Sequence, residues 1–310
     1  MVESTSLLTR RPSPDRGFES HRLRQNFTMS LFKGRKIVIA TMHGKESIIA
    51  PLLKKEFDMT PVLEESLNTD KYGTFTGEIK RYGNQLEAAQ KKAYAAMSLA
   101  GVDIAIASEG SFGSHPSIPF IQSNLELILL VDKKNNLEIL GHHRTEETNM
   151  DGRYVNSVDE ALDFINKIGF PEHGVIVRRS KDGKYGIHKN IKTQEDLVDR
   201  VTKMLNSIFI KKVYLETDMR AHKNPTRMRS IEKAMLDLIK NMKSLCPQCE
   251  TPGFVITDIK KGLRCSSCLS PTGLPINEIF VCKKCAYTYT KPITIYGETA
   301  DPMYCDYCNP

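Results

Sequence analysis

The chain has no cysteine before Cys246, no histidine after His222 and no apolar run of membrane-spanning length. The first absence excludes a body stapled by disulfides. The second leaves sulfur as the only soft donor in the C-terminal region. The third excludes a helical membrane span, which needs about 20 apolar residues. A continuous apolar core is also missing from the first 30 residues, where Arg10, Arg11, Arg16, Arg22 and Arg24 are scattered. A secretory leader is therefore not expected, and a reducing, cytoplasmic setting is. Charge of one sign does not dominate either. The formal charge is +7, and two zinc–tetrathiolate sites would lower it to about +3. A balance that small does not argue for nucleic acid as a partner, and nothing suggests a membrane.

What the C-terminus does contain is four Cys-x-x-Cys pairs: Cys246/Cys249, Cys265/Cys268, Cys282/Cys285 and Cys305/Cys308. Each such turn aims two sulfurs at one point, and two turns complete a tetrahedral zinc site. All eight cysteines are expected to ligate two structural zinc ions. Iron is the alternative metal for four thiolates. Sequential pairing is the favoured arrangement, with Cys246, Cys249, Cys265 and Cys268 in one site and Cys282, Cys285, Cys305 and Cys308 in the other. Phe254–Ile259 and Leu263–Arg264 then read as a zinc-ribbon hairpin about Lys260-Lys261-Gly262. The spacing leaves interleaved pairing open.

Residues 1–28 show no apolar period and are expected to be disordered. Gly17-Phe18-Glu19-Ser20-His21-Arg22 resembles a conceptual translation of the T-arm of a transfer-RNA gene, so an overextended gene start at Met29 is the expectation. Residues 29–243 alternate apolar β-branched runs, such as Lys36–Thr41 and Val102–Ala107, with helical periods, such as Gln85–Ala100 and Ser230–Met242. The expected fold is α/β, a mostly parallel sheet with helices on both faces, followed by a zinc-ribbon-like module over 244–310.

Ligands of open α/β sheets bind at the carboxyl ends of strands, and four polar segments fall at such ends. Thr41, His43 and Lys45 lie between the first strand and its helix, suited to a phosphate or carboxylate, or simply an ordinary turn with a solvated lysine. Ser108–Pro116 reads as a glycine–serine loop, with Glu109 at the strand tip as base or metal ligand and Ser111 beside the ligand. It lacks the Gly-x-Ser-x-Gly order of a nucleophile elbow. His142 and His143 adjoin on a strand and so point to opposite faces. Glu216–Arg227 gathers Asp218, Arg220, His222 and Arg227, of which the arginines suit a bidentate grip on phosphate. Asn224-Pro225 there is also a plain helix start.

Taken together, Ile39–Glu46, Tyr72-Gly73-Thr74-Phe75-Thr76, Ile106–Gly113, Thr217–His222 and the terminal Cys308-Asn309-Pro310 resemble a bacterial family designated only as a domain of unknown function. That resemblance covers Met29 to the C-terminus and implies no activity. Thr41 and Lys45 after the first strand, with Glu109 on a later strand tip, are also similar to nucleoside-triphosphate pyrophosphatases. Met42-His43 departs from that pattern where an asparagine is usual, and the acidic pair for magnesium is not evident.

The function expected is a metal-assisted enzyme, a hydrolase by class, on a phosphorylated or nucleotide-like small molecule. Glu109, Asp218 and His222 are the catalytic candidates, with Glu109 and Asp218 sharing one cleft and holding magnesium. Thr41, His43, Lys45, Ser111, Arg220 and Arg227 are the ligand-binding candidates. The rival is a zinc-ribbon nucleic-acid-associated protein, stacking bases on Tyr287, Tyr289 and Tyr296 beside Lys283, Lys284 and Lys291. A structural zinc tail that mediates oligomerisation is the third reading.

Overall fold

The computed structural model of the chain describes residues 30–73, 83–183 and 185–310. The expectation for residues 1–28 lies outside the described residues, as do Thr74, Phe75 and Thr76. Two compact units result, one spanning Gly34–Met242 and the other holding Lys243–Pro310.

In the larger unit, β1 (Lys36–Ala40), β2 (Thr60–Leu63), β3 (Ile104–Ser114), β4 (Gln122–Asp132) and β5 (Leu137–Thr145) form one sheet in the order β2-β1-β3-β4-β5. β1 runs parallel to β2 and β3, but β3/β4 and β4/β5 are antiparallel. The sheet is mixed, which corrects the mostly parallel one expected. The cause is the connections. Residues 115–121 and 133–136 are too short for the crossover that a parallel neighbour requires. The expected glycine–serine loop is corrected too. Ser108–Ser114 stays in the strand, paired residue by residue with β4 as far as Gln122.

Side chains alternate across this sheet. Val38, Ala40, Ala105, Ala107, Leu129 and Val131 pack on the face covered by α2 (Gln85–Ala100). Small Ala89, Ala93 and Ala96 let that helix approach closely. It opens with a capping box between Asn84 and Glu87 and stops at Gly101 in a left-handed conformation, as its sequence requires. On β1, α1 (Glu46–Phe57) follows directly after the turn at Thr41–Lys45.

A second sheet joins β6 (Gly152–Val155), β7 (Val175–Arg178), β8 (Ile187–His188) and β9 (Val213–Thr217) in the order β6-β9-β7-β8, antiparallel throughout. α3 (Val158–Ile168) and α4 (Gln194–Leu205) supply Phe164, Ile165, Leu197 and Val201 to its core. α5 (Pro225–Lys243) returns to the first sheet. It begins at Pro225, not Ser230, because Asn224 caps it: its Oδ1 accepts from the Arg227 amide at 2.9 Å. A Cβ on Gly141 of β5 would lie 2.3 Å from the Leu238 amide nitrogen, so glycine there lets α5 lie directly on the strand.

The smaller unit is a three-stranded antiparallel meander of β10 (Ile256–Lys261), β11 (Pro275–Val281) and β12 (Thr288–Pro292). β10 pairs with β11, not with residues 263–264, so the expected tight hairpin about Lys260-Lys261-Gly262 is not formed.

Candidate functional site

The parallel pairing of β1 with β3 ends at Ala40 opposite Ala107, while β3 runs on to Ser114. Beyond Ala40 the flank of β3 has no neighbouring strand among the described residues, and a cleft of about 470 Å³ opens there. Thr41, His43 and Lys45 from the β1–α1 turn line it, with Glu109 and Ser111 of β3, and Arg220 and Arg227 from the segment after β9. The sheet thus brings together seven of the nine residues expected to bind or react.

The cleft is cationic. Among the described residues, Lys45, Lys92, Lys189, Arg220 and Arg227 line it against one lining carboxylate, Glu109. The pleat explains the partners. Glu109 shares the parity of Ala105 and Ala107 and points to the α2 face, where Lys92 pairs with it. Glu126 of β4 points to the opposite face and is fully buried. There it takes Arg227 at 2.8 Å through Nε, while Arg227 Nη1 donates to the Met219 carbonyl at 2.5 Å. The Arg227 guanidinium also stands 5.1 Å from the Phe112 ring centroid. Gly110 makes room for this pair: a Cβ there would fall 2.3 Å from Arg227 Nη2 and 2.7 Å from Glu126 Oε1.

Arg220 is held by Asp218, which accepts from its Nη2 at 2.6 Å and from its backbone amide at 3.0 Å. Asn190 Oδ1 accepts a further bond from Arg220 Nη2 at 2.8 Å. Asp218 itself is buried, does not line the cleft and shares none with Glu109, contrary to the expectation. The backbone causes this: the Asp218 amide donates to the Gly174 carbonyl at 2.8 Å, which fixes the residue between β9 and β7. His222 does not line the cleft either; it is exposed and stacks on His43 with ring centroids 5.3 Å apart. Partial desolvation, and then Arg220, push its pKa below the ordinary histidine value.

Lys45 differs from the other cations. It is buried, yet its ammonium nitrogen lies 2.8 Å from the Ser108 hydroxyl, a neutral partner. Burial lowers its pKa to about 7, and Arg227 and Lys92 add to the effect against Glu126 and Glu109. Because the unfolded chain holds that proton up to the ordinary lysine value of 10.5, the unfolded state binds more protons between pH 7 and 10.5. The buried lysine therefore costs stability in full below pH 7, and the cost fades as pH rises through that window. Lys45→Met is expected to raise the urea midpoint at pH 6 and to change it far less at pH 10. An equal effect at both values would contradict the burial assigned to Lys45.

The eight cysteines form two clusters, Cys246/Cys249/Cys282/Cys285 and Cys265/Cys268/Cys305/Cys308. The expected sequential pairing is corrected to the interleaved one. The meander dictates it. Pairs one and three flank one end of β10 and β11, and pairs two and four fall at the other. Strands of six and seven residues separate those ends by about 20 Å at 3.3 Å per residue. Sulfur–sulfur distances are 3.6 Å for Cys246–Cys285 and Cys249–Cys282, 3.9 Å for Cys265–Cys308 and 3.6 Å for Cys268–Cys305. A tetrahedron with zinc–sulfur bonds of about 2.3 Å has edges of about 3.8 Å, so the donor set fits zinc. Glu250, Leu269 and Ala286 each sit four residues after the first cysteine of a pair and adopt positive φ of 57°, 61° and 59°. Three of the turns thus share one left-handed geometry without glycine. Tyr287 packs on Phe254 at 5.9 Å, and Lys291 pairs with Glu278 at 3.2 Å.

Sequence reasoning missed Lys92 and Glu126. Both leave a trace: Lys92 falls among the alanines of the buried α2 stripe, and Glu126 is the one charge inside Leu125–Val131.

A model of the family described as "Domain of unknown function (DUF6671)" matches residues 92–310. The chain belongs to this family. The matched DUF6671 region holds Glu109, Glu126, Arg227 and all eight cysteines, while Thr41–Lys45 precedes it. No curated protein matches the chain, so no named relative carries the pyrophosphatase likeness. Among the described residues, no helix is long and apolar enough to cross a membrane.

Proposed function

We propose that the cleft binds a phosphorylated small molecule and serves an enzyme acting on it, and that the cysteine module is a structural unit held by two zinc ions. The observation that carries this is Lys45. A buried cation bonded to a hydroxyl is costly, and an anion entering the cleft would complete its pairing. Lys92, Arg220 and Arg227 already have carboxylate partners, so they raise the local potential while staying fixed in place. Thr41, His43 and Ser111 offer hydrogen bonds along the same wall. Asp218 serves as the anchor of Arg220, and His222 as the support of His43. Magnesium, if taken up, would rely on substrate oxygens for most of its shell, with Glu109 as the lining carboxylate.

Thermal shift with inorganic phosphate, pyrophosphate and sulfate tests the reading, with and without magnesium. Stabilisation of about 2.7 kcal/mol is expected at one hundred times the dissociation constant. Lys45→Met should abolish it, and Asp218→Asn should weaken it by freeing Arg220. Equal shifts in wild type and Lys45→Met would refute the site.

A further inference from the structure

Ser108 and Lys45 form a contact whose chemistry goes beyond anion binding. Ser108 extends from β3 on the face opposite α2, Lys45 reaches it from the turn after β1, and the Oγ–Nζ separation is 2.8 Å. Both side chains are buried and both line the cleft. A serine hydroxyl within hydrogen-bond reach of a buried amine is the arrangement by which a weak nucleophile is activated.

We propose that Ser108 is a covalent nucleophile toward the phosphoryl group of the ligand, with Lys45 as its proton acceptor and donor. The inference rests on reading the cleft as a site for a phosphate ester. Ser108 Oγ attacks phosphorus, the Oγ–P bond forms, and the bond from phosphorus to the leaving alcohol oxygen breaks. The Oγ proton passes to Lys45 Nζ, while the departing oxygen, in line on the far side of phosphorus, takes a proton from water. Water then attacks the phosphoserine from that far side and releases its proton to solvent, and the proton held by Lys45 returns to Ser108 as inorganic phosphate leaves. The sum is hydrolysis of a phosphate ester, with no other reactant.

The surroundings fit the proton traffic. Lys45 is faced by Arg227 of α5 and Lys92 of α2, which disfavour the ammonium, and by Glu126 of β4 and Glu109 of β3, which favour it. Burial tips the balance, and a pKa of about 7 leaves a large neutral fraction at physiological pH. Lys92 and Arg227 line the same cleft and supply positive charge for the oxygens of the transition state. Ser111, one full pleat repeat further and off by one residue in parity, points to the other face of β3 and has no such base.

The test is covalent trapping on the full chain. The protein is incubated with p-nitrophenyl phosphate, or with diisopropyl fluorophosphate, then acid-quenched and mapped by peptide mass spectrometry. Modification is expected at Ser108, absent in Ser108→Ala. In Lys45→Arg, which keeps the charge but cannot accept a proton, it should slow by about two orders of magnitude. With the uncharged fluorophosphate the wild-type rate should rise through pH 7 and then level; with the phosphate ester, whose charge raises the Lys45 pKa, only the neutral-lysine fraction reacts and the rise should come at higher pH. No modification by either reagent, modification at Ser111 instead, or an undiminished rate in Lys45→Arg overturns the proposal. Sulfate binding by Ser108→Ala, followed by thermal shift, separates the two readings. If it persists while trapping fails, the anion site stands without the nucleophile. If it is absent from wild type as well, the anion reading has failed by itself.

Discussion

A Cys249→Ser/Cys282→Ser double variant is expected to retain one metal ion per chain, and a Cys249→Ser/Cys268→Ser variant none. In the interleaved arrangement the first pair of substitutions damages a single site, because Cys249 and Cys282 are 3.6 Å apart in one cluster. The second pair damages both clusters. Sequential pairing predicts the reverse, so elemental analysis of the reduced proteins separates the two. The effect on folding should be large. The module's buried apolar set is small, with Phe254, Leu263 and Ala300 beside four of the cysteines. A unit of this size does not fold on such a core alone. Structural zinc contributes about 10–16 kcal/mol per site in small peptides at neutral pH. Chelating both ions should therefore unfold residues 243–310, seen as loss of amide protection there while residues 34–242 stay protected. Protection that survives chelation across β10–β12 would show that the strands, not the metals, hold the module.

Glu126→Gln is expected to destabilise the larger unit by about 3–5 kcal/mol, the cost of leaving one member of a buried ion pair uncompensated. Glu126 is fully buried and its partner Arg227 nearly so. Gly110→Ala should act on the same pair from outside, since its methyl group would occupy the space of the guanidinium. Replacing both partners, as Glu126→Leu with Arg227→Met, should recover much of the loss, because the cost lies in the orphaned charge. Urea midpoints at pH 7 measure all of these. A Glu126→Gln variant within 1 kcal/mol of wild type would mean that the pair is hydrated and that the cleft floor is looser than described.

Much of this architecture was legible in the chain. The β-branched run at Lys36–Ala40, the alanine-rich helix ending at Gly101 and the cysteine pairs each carry a local signal. The first sheet was misjudged because Ser108–Ser114 has the composition of a loop, with two glycines and three serines. Only pairing with β4 keeps it extended, and Gly110 is there for the Arg227–Glu126 pair, a reason invisible in one segment. β2, β6 and β8 are four residues or fewer and carry little apolar periodicity of their own. Metal pairing depended on counting strands. Once three strands separate four cysteine turns, alternate turns share an end, but Ile256–Lys261 is exposed and charged and gives little apolar alternation. At the cleft, the residue types were recognisable at Thr41–Lys45, Glu109 and Arg220–Arg227. Their division into lining and supporting roles was not, since it depends on which backbone groups hold Asp218 and which ring stacks on His43.

If Lys45 is a buried amine that an entering anion brings into its charged form, proton uptake on binding tests this most directly. Sulfate does not titrate near neutrality, so any proton taken up is bound by the protein and supplied by the buffer. At pH 8 the free lysine, with its pKa lowered to about 7, is mostly neutral, and a bound anion raises that pKa. Titration calorimetry with sulfate at pH 8, in two buffers of different ionisation enthalpy, should show uptake approaching one proton per site. At pH 6 uptake should fall to nearly none, and in Lys45→Met binding itself should disappear. Sulfate binding at pH 8 with no buffer dependence, or uptake that persists in Lys45→Met, would contradict the account.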